Sequence, residues 1–170
     1  MAGLPGSIPS LMPAGQDELV RRIADLERKV NEMGASMARV IGHGQAGTYL
    51  ANFAVPLAAT SVASQTILVP PGFTTALVTA IAHANARNTT AVNDYFYVGA
   101  AINGVAPAML LAQVLAGAYG VSAGSATRTV TGLSGGGVIT VDAMVHSSFN
   151  PFPADGSNLA SIDALAIFYR

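Results

Sequence analysis

The sequence predicts a mainly β protein: an antiparallel β-sandwich of jelly-roll type, preceded by a short N-terminal helix that forms a parallel coiled coil. Three observations predict it. Six of the seventeen acidic and basic residues crowd into "RRIADLERKV", residues 21–30. Through that segment apolar residues recur at alternating spacings of four and three. From residue 45 onward the only charges are Arg87, Arg128, Arg170, Asp94, Asp142, Asp155 and Asp163, and short apolar runs alternate with Gly, Pro and Asn turn signals. The expected organisation is a Pro-rich leader over 1–15, a coiled-coil stalk over 16–44 and a β head over 45–170.

Composition narrows the function classes. A net charge of −1 offers no electrostatic handle on nucleic acid or on an anionic membrane surface. There is no cysteine, hence neither a disulfide nor a thiolate metal site. Residues 1–11 lack Lys and Arg and are interrupted by Pro5 and Pro9, unlike a signal peptide. The most apolar run, "VAPAMLLAQVLAGA" (105–118), is broken by Pro107, Gln113 and Gly117 and is too short to insert in a membrane.

The leader, "MAGLPGSIPSLMPAG", has prolines spaced so as to exclude a helix or a central strand. It reads either as a solvated terminus or as an extended peptide whose Leu4, Ile8, Leu11 and Met12 dock into a partner. A solvated tail gains nothing from four large apolar residues, so an anchoring role is expected.

The helix follows from heptad arithmetic. Leu19, Ile23, Leu26, Val30, Met33, Met37 and Val40 alternate between positions d and a, with Ile23, Val30 and Met37 at a. Asp17 and Glu18 suit the positive end of its dipole, and Gly42 and Gly44 are the expected terminators. The stripe could pack on the chain's own body, but it is narrow and its flanks are charged, as on a stalk. Ile or Val at a with Leu at d leans toward two strands. Against this, "RIADLE" (22–27) resembles the trimer-specifying pattern Arg-h-x-x-h-Glu, where h is apolar. Arg22 then reaches Glu27 of a neighbouring helix, and three strands are expected.

The body reads as seven or so strands. "ASQTILVPPGF" is a strand closed by a Pro-Pro-Gly turn. In residues 77–87, Leu77, Thr79, Ile81, His83, Asn85 and Arg87 share one face, opposite Val78 and the alanines. "DYFYVGAAING" runs into a hairpin-type turn at Asn103-Gly104. Residues 105–116 fit strand or helix equally. "SATRTVTGLSGGGVITVDAMVHSS" is two strands about a Gly-rich turn. In the last strand Ile162, Ala164, Ala166 and Phe168 oppose Asp163, Leu165, Ile167 and Tyr169. Both faces are largely apolar, so cover on both sides is expected. Three sandwiches packed about an axis would supply it.

No catalytic constellation emerges. His43, His83 and His146 show no metal-ligand spacing, the head's carboxylates have no glutamate partner after Glu32, and "GLSGGG" lacks the Lys and helix of a phosphate loop. No cofactor or metal is expected, and the chain does not read as an enzyme. The loops over 88–95 and 147–158 read either as plain surface turns or as ligand-facing loops. In the second case Asn93, Asp94, Tyr95, Asn150, Phe152 and Asp155 would offer aromatic and neutral polar contacts to a glycan.

Leader, short trimer-type coiled coil and low-charge β body together resemble small fibre proteins of tailed bacteriophages. "VPPGFTTALVTAIAHANARNTT", "DYFYVGAAINGV", "TRTVTGLSGGGVITV" and "IDALAIFYR" are similar to stretches of minor tail proteins of actinobacterial phages. The resemblance implies a homotrimeric virion protein, held to other virion proteins by its leader and presenting its head outward for host attachment. A capsid-bound head fibre or decoration protein of the same architecture is the alternative. A cell-wall depolymerase is a third, disfavoured for want of catalytic residues.

Overall fold

The computed structural model describes residues 14–105 and 108–170, with side chains for 18–32, 44–105 and 108–170. The chain divides into a helical unit ending at Arg39 and a β unit, Val40–Arg170.

The helical unit is built on α1 (Ala14–Val40), whose 27 residues make a rod of about 40 Å. Its interior is rich in Arg, Glu, Leu and Ala, all good helix formers. Charged pairs one turn apart reinforce it, among them Arg28–Glu32 at 2.9 Å and Lys29–Asp25 at 3.0 Å. No helix among the described residues is long and apolar enough to cross a membrane.

The helix stops just before Gly42, near where the sequence places its end, but Gly42 and Gly44 themselves lie in a strand. The helix ends at Val40, and β1 (Ile41–Ala51) starts at the next residue, so the β unit begins before residue 45. Gly44 serves packing instead. A Cβ there would lie 2.7 Å from Ile67 Cγ2 and 3.1 Å from Phe168 Cε2, so only glycine lets this edge strand lie so close to the core.

Seven further strands follow: β2 (Thr60–Leu68), β3 (Thr75–Arg87), β4 (Asp94–Ile102), β5 (Leu110–Val114), β6 (Tyr119–Thr131), β7 (Val138–Ser147) and β8 (Leu159–Tyr169). They form two four-stranded antiparallel sheets, β1-β8-β3-β6 and β2-β7-β4-β5. Every connection except β4–β5 crosses from one sheet to the other, the winding of an eight-stranded jelly roll. The segment that fitted strand or helix contains β5. Asn103 and Gly104 both take positive φ, as a tight hairpin turn requires.

The core lies between the sheets and follows the period-two pattern. In β3, Ala76, Val78, Ala80, Ala82, Ala84 and Ala86 all point inward and are buried. Phe96 and Phe152 pack with ring centroids 6.4 Å apart, and Phe73 and Phe168 at 6.1 Å. Alanine is the commonest core residue, so the sheets can approach closely. Between β6 and β4 backbone meets backbone closely. A Cβ on Gly124 would stand 2.5 Å from the Val98 carbonyl oxygen and 2.7 Å from Gly99 Cα.

Within one chain β8 is covered on one face. Ile162, Ala166 and Phe168 are fully buried, while Leu159, Leu165 and Ile167 on the other face remain 41–48% exposed.

Candidate functional surfaces

The two loops singled out in the sequence meet at one end of the sandwich, and Asp94 joins them. Its carboxylate is buried. Oδ1 accepts the backbone N–H of Tyr95 (2.6 Å), Ser148 (3.2 Å) and Phe149 (3.1 Å); Oδ2 accepts those of Phe149 (3.2 Å) and Asn150 (2.7 Å). A carboxylate holding this many donors has no free lone pair for a ligand. Asp94 fixes the turn after β7, so its expected ligand-facing role is corrected to a structural one.

Phe152 is corrected likewise: it is fully buried against Phe96, and its backbone pairs with Val55 in both directions. Asp155 is half-buried and caps its own turn, accepting the Ser157 N–H at 2.9 Å and the Ser157 hydroxyl. These two bonds hold its carboxyl below the usual carboxylate range, and Arg87 at 3.8 Å adds attraction. Asn93 is exposed, and its side-chain oxygen accepts the N–H of Ala116 at 3.0 Å. Asn150 is half-buried, held by its backbone to Asp94.

What this end does expose is aromatic. The turn held by Asp94 thrusts Phe149 outward, 66% exposed, with its ring 6.2 Å from that of Tyr95. Tyr97, two residues along β4 and on the same face, stacks on His146 of β7 at 4.3 Å between centroids. The Ser148 hydroxyl donates to the Tyr97 hydroxyl at 3.3 Å. On β5, Gln113 and Leu111 stand opposite Tyr95 and Tyr97 in register. The result is a strip of rings edged by neutral hydrogen-bonding groups. Of its rings only Tyr95 was singled out from sequence. Tyr97 and His146 are strand residues, and which strands are neighbours is decided by the fold.

Two buried asparagines were missed as individual residues. Asn158 donates to the carbonyls of Phe53 (2.7 Å) and Pro153 (3.4 Å) and accepts the Arg87 N–H (2.8 Å). Asn88 donates to the carbonyls of Val92 and Val114 and accepts from Thr90. An Asn next to a strand end is the available signal, since its amide imitates backbone.

In the helical unit, the stripe residues Leu19, Ile23, Leu26 and Val30 are 49–61% exposed. The side chains of Met33, Met37 and Val40, and the leader residues Leu4, Ile8, Leu11 and Met12, lie outside the described residues. Arg22 pairs with Glu18 of its own helix at 3.1 Å. Glu27, five residues on, forms no ion pair among the described residues. Asp25 binds Arg28 at 2.6 Å and Lys29, which lowers its pKa, the Arg28 bond contributing most.

The groups considered for catalysis lie apart. His83 projects from β3 and His146 from β7, in different sheets. Asp142 accepts the Ser61 hydroxyl at 2.9 Å, Asp163 lies on β8, and Asp94 and Asp155 are engaged in turns. No protein-family model matches this chain, and no curated protein matches it either.

Proposed function

We propose that this chain is a homotrimeric structural protein of a virion, a tail fibre or minor tail protein of a tailed bacteriophage, whose β unit meets the host surface. The observation that carries the reading is the exposed stripe on α1. Leu19, Ile23, Leu26 and Val30 lie about half-open to water on a helix whose other positions are mostly charged over residues 18–32. Burying one such side chain is worth roughly 1.5–3 kcal/mol, whereas a lone helix of this length is marginal in water. A parallel coiled coil with further copies of the chain covers the stripe.

Three strands is the number that the pattern of "RIADLE" implies, with Arg22 leaving Glu18 to bridge to Glu27 of a neighbour. The resemblance of the sequence to phage fibre proteins supplies the setting, with residues 1–15 as the attachment to other virion proteins. A host ligand for a β unit this poor in charge is a neutral one, and the aromatic strip at Tyr95, Tyr97 and Phe149 suits a glycan. Aromatic faces stack on sugar rings, and the hydroxyls and amides beside them bond sugar hydroxyls.

Native mass spectrometry of the full chain should give the trimer mass, and antibody labelling of intact particles should mark the tail. A monomer or dimer mass overturns the trimer. Labelling over the capsid replaces host attachment by a decoration role.

A further inference from the structure

The outward face of the β1-β8-β3-β6 sheet is unlike that of the other sheet. Register places Leu77 beside Ile167 and Thr79 beside Leu165, with Ile81 and Leu159 on the same face and Tyr49 on the edge strand. These apolar side chains are 39–66% exposed, and at the far edge Val121 is 74% exposed. On the other sheet's outward face Ser64 and Thr66 of the edge strand β2 stand opposite Asp142 and Thr140 of β7, and Met144, His146 and Tyr97 lie farther across. Its exposed large aliphatic side chains include Leu68 with Val138 at one end and Leu111 on the edge strand β5.

We infer that three copies of this chain pack through the outward face of the β1-β8-β3-β6 sheet. The inference rests on the self-association proposed above and assigns it a second surface, in the β unit. Size is the first argument. A face four strands wide and eleven residues long covers roughly 19 by 36 Å, or about 700 Å². Divided between two neighbours about a three-fold axis, that is roughly 350 Å² per partner at each contact, about half of a standard interface, so the face supplements the α1 coil rather than replacing it.

Relief is the second argument. Because Gly47 has no side chain, a depression of about 930 Å³ opens beside it, bordered by Thr79, Ile81, Asp163 and Leu165. Another of about 530 Å³ lies between Tyr49, His83, Val121 and Leu159. Prominent side chains and hollows of similar scale on one face allow the heterologous contact that a three-fold axis requires, one part of the face meeting a different part of a neighbour's. Little charge would be desolvated, since the central rows carry only Asp163 and His83 as ionisable groups.

Chain connectivity selects the occupant. β1, the edge strand of this sheet, begins at the residue after α1 ends. Copies gathered along the α1 stripe are therefore tethered at this sheet with no linker between, at an effective concentration of order millimolar. No other strand is so placed in the chain.

The absence of cysteine makes a direct test available. Thr79→Cys and Ser64→Cys each put one thiol at an exposed position of the isolated chain, on the inferred contact face and on the other sheet respectively. In the full-length native protein, a charged maleimide should label the Thr79→Cys thiol at least tenfold more slowly than the Ser64→Cys thiol. Both should react alike in denaturant. Equal native rates in a protein of trimer mass overturn the contact face and leave the trimer standing. A monomer mass overturns the trimer and this inference with it. As a second reading, Leu165→Arg should shift native mass toward monomer while Leu111→Arg, on the other sheet, should not. Trimers that persist in a folded Leu165→Arg protein overturn the inference. If that variant does not fold, the labelling pair decides.

Discussion

The Tyr97 ring lies flat on the His146 ring, with centroids 4.3 Å apart and planes 5° from parallel. The two residues are cross-strand neighbours in β4 and β7. Each restricts the other, so the Tyr97 face is held in place before any ligand arrives. Preorganised rings cost less entropy to use than mobile ones. On the proposed attachment role, Tyr97→Ala and Phe149→Ala should each weaken binding to host cell-wall glycan by about tenfold, equivalent to ~1.4 kcal/mol. Binding should change little across a salt series, because the contacts carry no charge. A plate assay on both variants checks this. Loss of wild-type binding at high salt contradicts the mechanism.

Asp94 should be indispensable to the turn that carries Phe149. Asp94→Ala leaves the N–H groups of Ser148, Phe149 and Asn150 without their acceptor. Each buried donor left unpaired costs about 1–3 kcal/mol. Thermal or urea unfolding should show a loss of about 2–4 kcal/mol, partly recovered by Asp94→Asn, whose amide keeps one acceptor oxygen.

Gly124→Ala tests the close approach of the sheets. The added methyl meets the Val98 carbonyl and Gly99 Cα, backbone atoms that cannot swing aside. Overpacking of this kind costs about 1–3 kcal/mol. Urea unfolding should reveal that loss, while Ser125→Ala on the exposed side of the same strand should leave stability within about 0.5 kcal/mol.

Acid should act on Asp155 with a defined sign. Hydrogen bonds from Ser157 lower its folded pKa from 3.8. The contribution is therefore present above the unfolded value and fades as pH falls through the lower folded value. The melting temperature of Asp155→Ala should lie below wild type by a constant margin at neutral pH. That margin should narrow only as the pH drops below about 4. A margin independent of pH down to the acid limit would assign the effect to packing.

Arg22→Ala and Glu27→Ala should blur strand number without unfolding the protein. Exposed ion pairs contribute only about 0–1 kcal/mol. Native mass spectra at low concentration should show mixed oligomers for both variants. Unchanged spectra would mean that the β unit alone sets the number.

Much of the architecture was legible because it depends on local periodicity. The alternation of β3 separated Leu77, Thr79 and Ile81 from the inward alanines, and every assignment matches the burial seen. Asn103-Gly104 announced its turn because few other pairs tolerate positive φ at both residues. β1 was illegible: "GHGQAGTYLA" has no clear alternation, and its two early glycines look like a helix stop. Gly44 makes sense only once Ile67 and Phe168 are known to lie beneath it.

The candidate site divides on the same line. Sequence could place Asp94 and Phe152 in loops, and it could name the residue types suited to a sugar. It could not show that Asp94 spends its oxygens on the turn before Phe149, or that Phe152 turns inward onto Phe96. Those outcomes depend on contacts between segments more than fifty residues apart. Heptad spacing and strand alternation are carried by neighbours along the chain, so the sequence alone determined them. The pairing of Tyr97 with His146, the burial of Asp94 and the apolar outward face of β8 and β3 arise only when distant strands come into register. The tertiary structure decided them, because burial and hydrogen-bond satisfaction are properties of the assembled sheets.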